Sequence, residues 1–178
     1  MPLDRPPRGI SNHSRAWLWV GLWALFMWGL GSEDLSYDHT SRFLGPLIRW
    51  LLPDLSQANQ ELLHFAIRKT AHLAEYGLLS VLTLRAFLIG RSTALPRAAL
   101  LSLVLATAFA AADETRQSLG ASRMGSGWDV LLDFLGGAAG IALLQWARTH
   151  LPGFDRHIGI DRLPETTTAE DTHGGTAE

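Results

Sequence analysis

Cysteine is absent from this 178-residue chain, which excludes disulfides, thiolate metal sites and a cysteine nucleophile. Charge is scarce as well. Asp, Glu, Lys and Arg supply 18% of the residues, below the quarter or so usual in globular domains. A basic excess is also lacking, with Lys+Arg 15 against Asp+Glu 17, so no nucleic-acid partner is expected. There is no glycine loop of the kind that cradles phosphates and no internal repeat. Apolar residues are abundant: 47% of the chain is hydrophobic, and tryptophan occurs seven times. The length fits one domain, and this balance points to lipid surroundings more than to an ordinary soluble enzyme.

The stretch AWLWVGLWALFMWGLGS, residues 16–32, carries no charge and as a helix reaches roughly 25 Å, near the lower end of what crosses a bilayer. Arg5, Arg8 and Arg15 precede it, as they would a signal peptide. Four tryptophans (Trp17, Trp19, Trp23, Trp28) and the apolar segments that follow favour a retained first span. Three more candidates lie at 70–90, 96–112 and 128–147, the last bracketed by Trp128 and Trp146 as interfacial anchors. The fold class expected is an all-α integral membrane bundle of four transmembrane helices. A soluble helical bundle is the alternative, disfavoured because a helix that is apolar all round needs lipid or a large core.

Four spans put both ends of the chain on one side. That side holds Arg5, Arg8, Arg15, Arg91, Arg97, Arg148, Arg156 and Arg162. The other holds Arg42, Arg49, Arg68, Lys69, Arg116 and Arg123 among many acids. The positive-inside rule then predicts cytoplasmic termini, with residues 1–15 a cytoplasmic segment and 149–178 a polar, disordered tail. The outer connection from Glu33 to Lys69 contains SRFLGPLIRWLL, residues 41–52. Its composition suits either an amphipathic segment in the headgroup plane or a packed cap over the bundle.

Charged groups within spans cost about 2.5–3.5 kcal/mol each at the bilayer centre, so their presence asks for a reason. The second span opens with Lys69, His72, Glu75 and Tyr76; the third closes with Asp113, Glu114 and Gln117; the fourth opens, after Arg123, with Asp129 and Asp133. Spacings of three and four place Lys69, His72 and Glu75 on one helix face, and likewise Glu114 with Gln117 and Asp129 with Asp133. The topology carries all three sets to the same membrane face. Gly136 and Gly140 form a GxxxG surface, suited to close helix packing and to self-association of the chain.

The charged set has two readings. One is a buried ion-pair network that fixes helix register, with Lys69, Arg116 and Arg123 neutralising Glu75, Glu114 or Asp129. The other is a site at the outer face. There His72, Glu75, Glu114 and Asp129 are the candidates for acid–base work, and Lys69 and Arg123 the receivers of an anionic group. Tyr76, Asp113, Gln117 and Asp133 complete the candidate ligand-binding set. The spacing is not H-E-x-x-H, and no metal or other cofactor is assigned.

The blocks K-x-x-H-x-x-E-Y (Lys69, His72, Glu75, Tyr76), D-E-x-x-Q (Asp113, Glu114, Gln117) and R-x-x-S-x-x-D-x-x-x-D-x-x-G-x-x-x-G (Arg123, Ser126, Asp129, Asp133, Gly136, Gly140) resemble the VanZ-like family in order, interval and placement at helix ends. The resemblance runs from about residue 16 to 148. It implies a VanZ-like transmembrane domain over 16–148, in a bacterial protein of the inner, cytoplasmic membrane with four to five helices. It also implies a link to teicoplanin resistance, the association of the founding member. It supplies no reaction. Asn as well as Asp stands in the family at the position of Asp133, and Arg116 departs from the usual acidic block. A lipid bilayer and an amphiphilic or lipid-linked ligand are the partners this reading implies.

Overall fold

The computed structural model describes residues 11–30, 45–89, 93–119 and 127–160. Helix accounts for 88% of them and no strand occurs among them, which establishes the all-α class. In chain order the elements are α1 (Asn12–Leu30), α2 (residues 45–51), α3 (Gln57–Ile89), α4 (Leu95–Ser118), α5 (Gly127–His150) and α6 (Phe154–His157).

Each boundary has a local cause. Ser11 Oγ accepts from the Ser14 backbone N–H at 3.1 Å and Ser56 Oγ from Asn59 N–H at 3.4 Å. These hydroxyls cap α1 and α3 by satisfying otherwise unpaired first-turn donors. Pro96 sits in the first turn of α4, where its missing N–H costs nothing. In α5, Asp129 lies in the first turn and Arg148 and His150 in the last, which complements the helix dipole.

Three helices, α3, α4 and α5, are long and apolar enough to cross a membrane. This corrects the expectation of four spans. Helix α1 begins with the polar turn Asn12-His13-Ser14-Arg15, and its tryptophans favour the interface over hydrocarbon. It nevertheless lies along the bundle. Trp17 meets Phe87 edge-on at 5.2 Å, Trp23 Nε1 donates to the Glu75 carbonyl at 3.1 Å, and Trp28 packs on Phe109 at 5.8 Å. These contacts fix α1 antiparallel to α3.

Among the described residues α3 and α5 approach each other most closely. A Cβ added at Gly140 would stand 2.5 Å from the Gly77 carbonyl oxygen, and one at Gly136 would stand 2.6 Å from that of Leu73. The GxxxG surface suited to close helix packing is therefore used within the chain, against α3. Small residues let backbones approach wherever the facing helix is also small, and Gly77 supplies that match within the chain.

Two apolar clusters fill the bundle. Met27, Tyr76, Leu79, Ala106 and Ala110 form one; Leu84, Ala98, Ile141 and Leu144 form the other, at the opposite end. Residues 151–160 belong to the segment expected to be a tail, yet they fold back onto the second cluster through Phe154 and Ile158. Gly153 and Gly159 turn the chain at φ 76° and 71°, conformations that cost glycine little. Arg148 holds Asp155 through Nε at 2.7 Å and Nη2 at 3.2 Å, and Arg85 Nε donates to the Ile158 carbonyl at 2.6 Å. Arg148→Ala should release this latch. Amide hydrogen exchange at Ile158 and Ile160 is expected to accelerate by about tenfold, the worth of one or two half-buried hydrogen bonds to a charge, while exchange in the middle of α4 stays unchanged. Residues 161–178 lie outside the described residues.

Candidate functional site

The polar blocks on three separate helices meet at one end of the bundle. Lys69 at the outer part of α3 pairs with Asp129 in the first turn of α5. One helical turn deeper, His72 Nδ1 lies 3.2 Å from Asp133 Oδ1. The two pairs are stacked because both residues advance by about one turn on each helix, from Lys69 to His72 and from Asp129 to Asp133. Asp133 is only 2% exposed, so its carboxylate depends on His72 for compensation. The His72 ring stacks on Tyr76 with an interplanar angle of 22°. Tyr76 in turn belongs to the apolar cluster beneath the site.

Helix α4 contributes differently. Arg116 grips Asp113 Oδ1 with Nη2 at 2.6 Å and Nε at 3.2 Å, while Gln117 Nε2 donates to Asp113 Oδ2 at 2.6 Å. The Arg116 guanidinium also lies 4.3 Å from the Trp28 ring centroid, an attraction that ties the end of α1 to α4. Asp113 is thereby engaged within its own helix, and its role in the structure is to orient Arg116. Glu114 is buried beside it.

Glu75 stands apart from these pairs. Its backbone carbonyl receives Trp23, but its half-buried carboxylate accepts no hydrogen bond among the described residues. His72 Nε2 is likewise without a partner among the described residues. Lys69, His72, Asp129 and Asp133 are thus brought together, Tyr76 supports them, and Asp113 and Gln117 form a neighbouring unit. Arg123 lies outside the described residues.

Sequence reading passed over Arg68 as a site residue. It precedes His72 by four positions and so shares its face, and its Nε is buried with no hydrogen-bond partner among the described residues. The spacing was visible in the chain. The engagement of its neighbour Lys69 by another helix was not. Among the described residues no group of three or more acidic or histidine side chains is placed to hold a metal ion.

A family model described as VanZ/LLP1 matches residues 16–148, most of the chain. No curated protein and no solved structure matches it.

Proposed function

Because the chain belongs to the VanZ/LLP1 family, and three of its helices are fit to cross a membrane, we propose that this multi-pass membrane protein resides in the bacterial cytoplasmic membrane and binds or modifies an envelope amphiphile at its polar end. A lipid or a lipid-bearing glycopeptide of the teicoplanin type fits that description. The observation that carries the reading is the pair of unengaged groups, the Glu75 carboxylate and His72 Nε2, within an otherwise paired cluster. Neither is sealed inside the bundle, so a ligand can reach both.

Orientation follows from charge. The end of the bundle where α1 begins and α6 ends lies beside Phe87 and Arg85 and collects Arg97, Arg148 and Arg156, with Arg91 and Arg162 adjacent in sequence. The positive-inside rule places that end, and with it the chain that follows α5, in the cytoplasm, so the polar cluster faces outward. Leu84, Ala98, Ile141 and Leu144 close the cytoplasmic half with apolar packing, which disfavours a conduit through the bundle.

A sensitive host carrying the protein is expected to tolerate more teicoplanin but not more vancomycin. Glu75→Gln and Glu114→Gln, compared at equal membrane abundance, should each remove that protection at least in large part. Full protection by both variants would sink the assignment of these acids. The second reading is a scaffold or assembly factor. The internal pairing of Lys69 with Asp129 and of Arg116 with Asp113 favours it. Under it, loss of protection would track loss of abundance in Asp129→Ala and in the Glu75 and Glu114 variants alike.

A further inference from the structure

Five cations are half-buried among the described residues: Arg68, Lys69, Arg85, Arg116 and Arg148. Four of them have partners. Lys69 meets Asp129, Arg116 meets Asp113, Arg148 meets Asp155, and Arg85 donates to a backbone carbonyl. Arg68 makes no hydrogen bond or ion pair among the described residues, and its Nε is shut off from solvent. The terminal guanidinium nitrogens are not sealed in this way, so an anionic acceptor can reach them and offset the cost of holding a half-buried cation.

The depth of Arg68 indicates which acceptor. About 20 residues fill the hydrocarbon layer, and counting back twenty from the end of α3 at Ile89 reaches Thr70. Arg68 then stands just beyond the hydrocarbon, level with lipid phosphates, where arginine side chains extend towards headgroups. Its planar guanidinium is suited to bidentate contact with phosphate oxygens. His72, one turn deeper, offers Nε2, and Glu75 lies a further turn below.

We propose that Arg68 is the residue of this site that receives a phosphate ester, and that the amphiphile bound here carries a lipid-linked phosphate at its head. The proposal rests on the reading of the polar end as an amphiphile site. It gives to Arg68 the role that charge alone assigned to Lys69, because Lys69 is already engaged by Asp129.

The test uses the full chain purified in neutral maltoside micelles and native mass spectrometry of bound dihexanoyl phosphatidic acid. Dihexanoylglycerol serves as the phosphate-free probe and inorganic phosphate as the chain-free one. Wild type should retain the phosphatidic acid in preference to both. Arg68→Gln should weaken its binding tenfold or more, and Arg68→Lys should restore part of it. Arg97→Gln, an exposed arginine at the opposite end, should leave it unchanged. If Arg68→Gln fails to fold, a clear loss in the charge-retaining Arg68→Lys still reads out the bidentate contact. Unaltered binding in the Arg68 variants, with loss in Glu75→Gln, would overturn the role of Arg68 and keep the amphiphile site. Equal retention of dihexanoylglycerol would overturn the phosphate requirement, and equal retention of inorganic phosphate would overturn the lipid requirement. No retention of any amphiphile by wild type would overturn both this inference and the reading beneath it.

Discussion

Replacing Gly140 with leucine is expected to abolish accumulation of the folded protein in the membrane, and alanine alone should lower its melting temperature in detergent. At Gly140 even a single Cβ would lie 2.5 Å from the Gly77 oxygen and 2.9 Å from the Gly77 Cα. Both are backbone atoms of the facing helix, so relief requires α3 and α5 to separate. Alanine brings a helix-propensity gain of about 1 kcal/mol over glycine. Overpacking by one carbon against fixed backbone costs about 1–3 kcal/mol and the cost rises steeply with size. The clash therefore outweighs the gain, narrowly for alanine and completely for leucine. Gly136→Ala should behave like Gly140→Ala, since its Cβ would meet the Leu73 backbone. Gly21→Ala and Gly29→Ala in α1 supply the contrast: nothing lies within 4 Å of an added Cβ at either, and both should be neutral or stabilising. A Gly140→Leu protein that melts like wild type would show that the α3–α5 contact does not hold the fold.

The second large effect is expected at Asp133. Asp133→Leu removes the acceptor facing His72 Nδ1 in a place almost without solvent. Stranding one member of a buried pair costs about 3–5 kcal/mol when both are charged, and about 1–3 kcal/mol when the imidazole is neutral. Asp133→Asn keeps an oxygen that can accept the Nδ1 proton, so its penalty should be much smaller. The double replacement His72→Leu with Asp133→Leu should recover most of the stability, because no polar group is then left unpaired. Thermal melting of the three proteins in micelles checks the order: Leu worst, the double intermediate, Asn best. The same proteins separate the two functional readings. A double variant that is stable and abundant yet gives no protection against teicoplanin assigns the pair to activity. One that protects fully assigns it to packing.

Helix existence was legible along the chain because hydrophobic pattern and helical period are local properties. The segments at 96–112 and 128–147 lie within α4 and α5, and the one at 70–90 runs along α3 to its last residue, Ile89; nearby features such as Ser56 and Pro96 set the helix starts. The grouping of His72 with Glu75, and of Asp129 with Asp133, followed from the same period. The first segment was overcounted as a span because an uncharged run need not be strongly apolar: tryptophans, glycines and the polar first turn of α1 dilute its hydropathy relative to α3, α4 and α5. The short α6 was missed because its two apolar contacts, Phe154 and Ile158, form no periodic run.

What the sequence determined by itself is the class and the ingredients: a helical membrane protein with polar blocks on three helices, and small residues for one close crossing. Only the tertiary structure decided the partners. Lys69 could meet any of several acids, and the rotation and register of α5 against α3 select Asp129, with His72 and Asp133 following one turn deeper. That register is imposed where Gly77, Gly136 and Gly140 let two backbones touch. The same packing turned the glycine face inward, away from a second copy of the chain. By engaging Lys69 it also left Arg68 without an ion pair, and the Glu75 carboxylate without a hydrogen bond, among the described residues. Spacing along one helix is set by covalent geometry, but the choice among distant charges depends on how side chains fit between helices, and that fit is not written in any one segment.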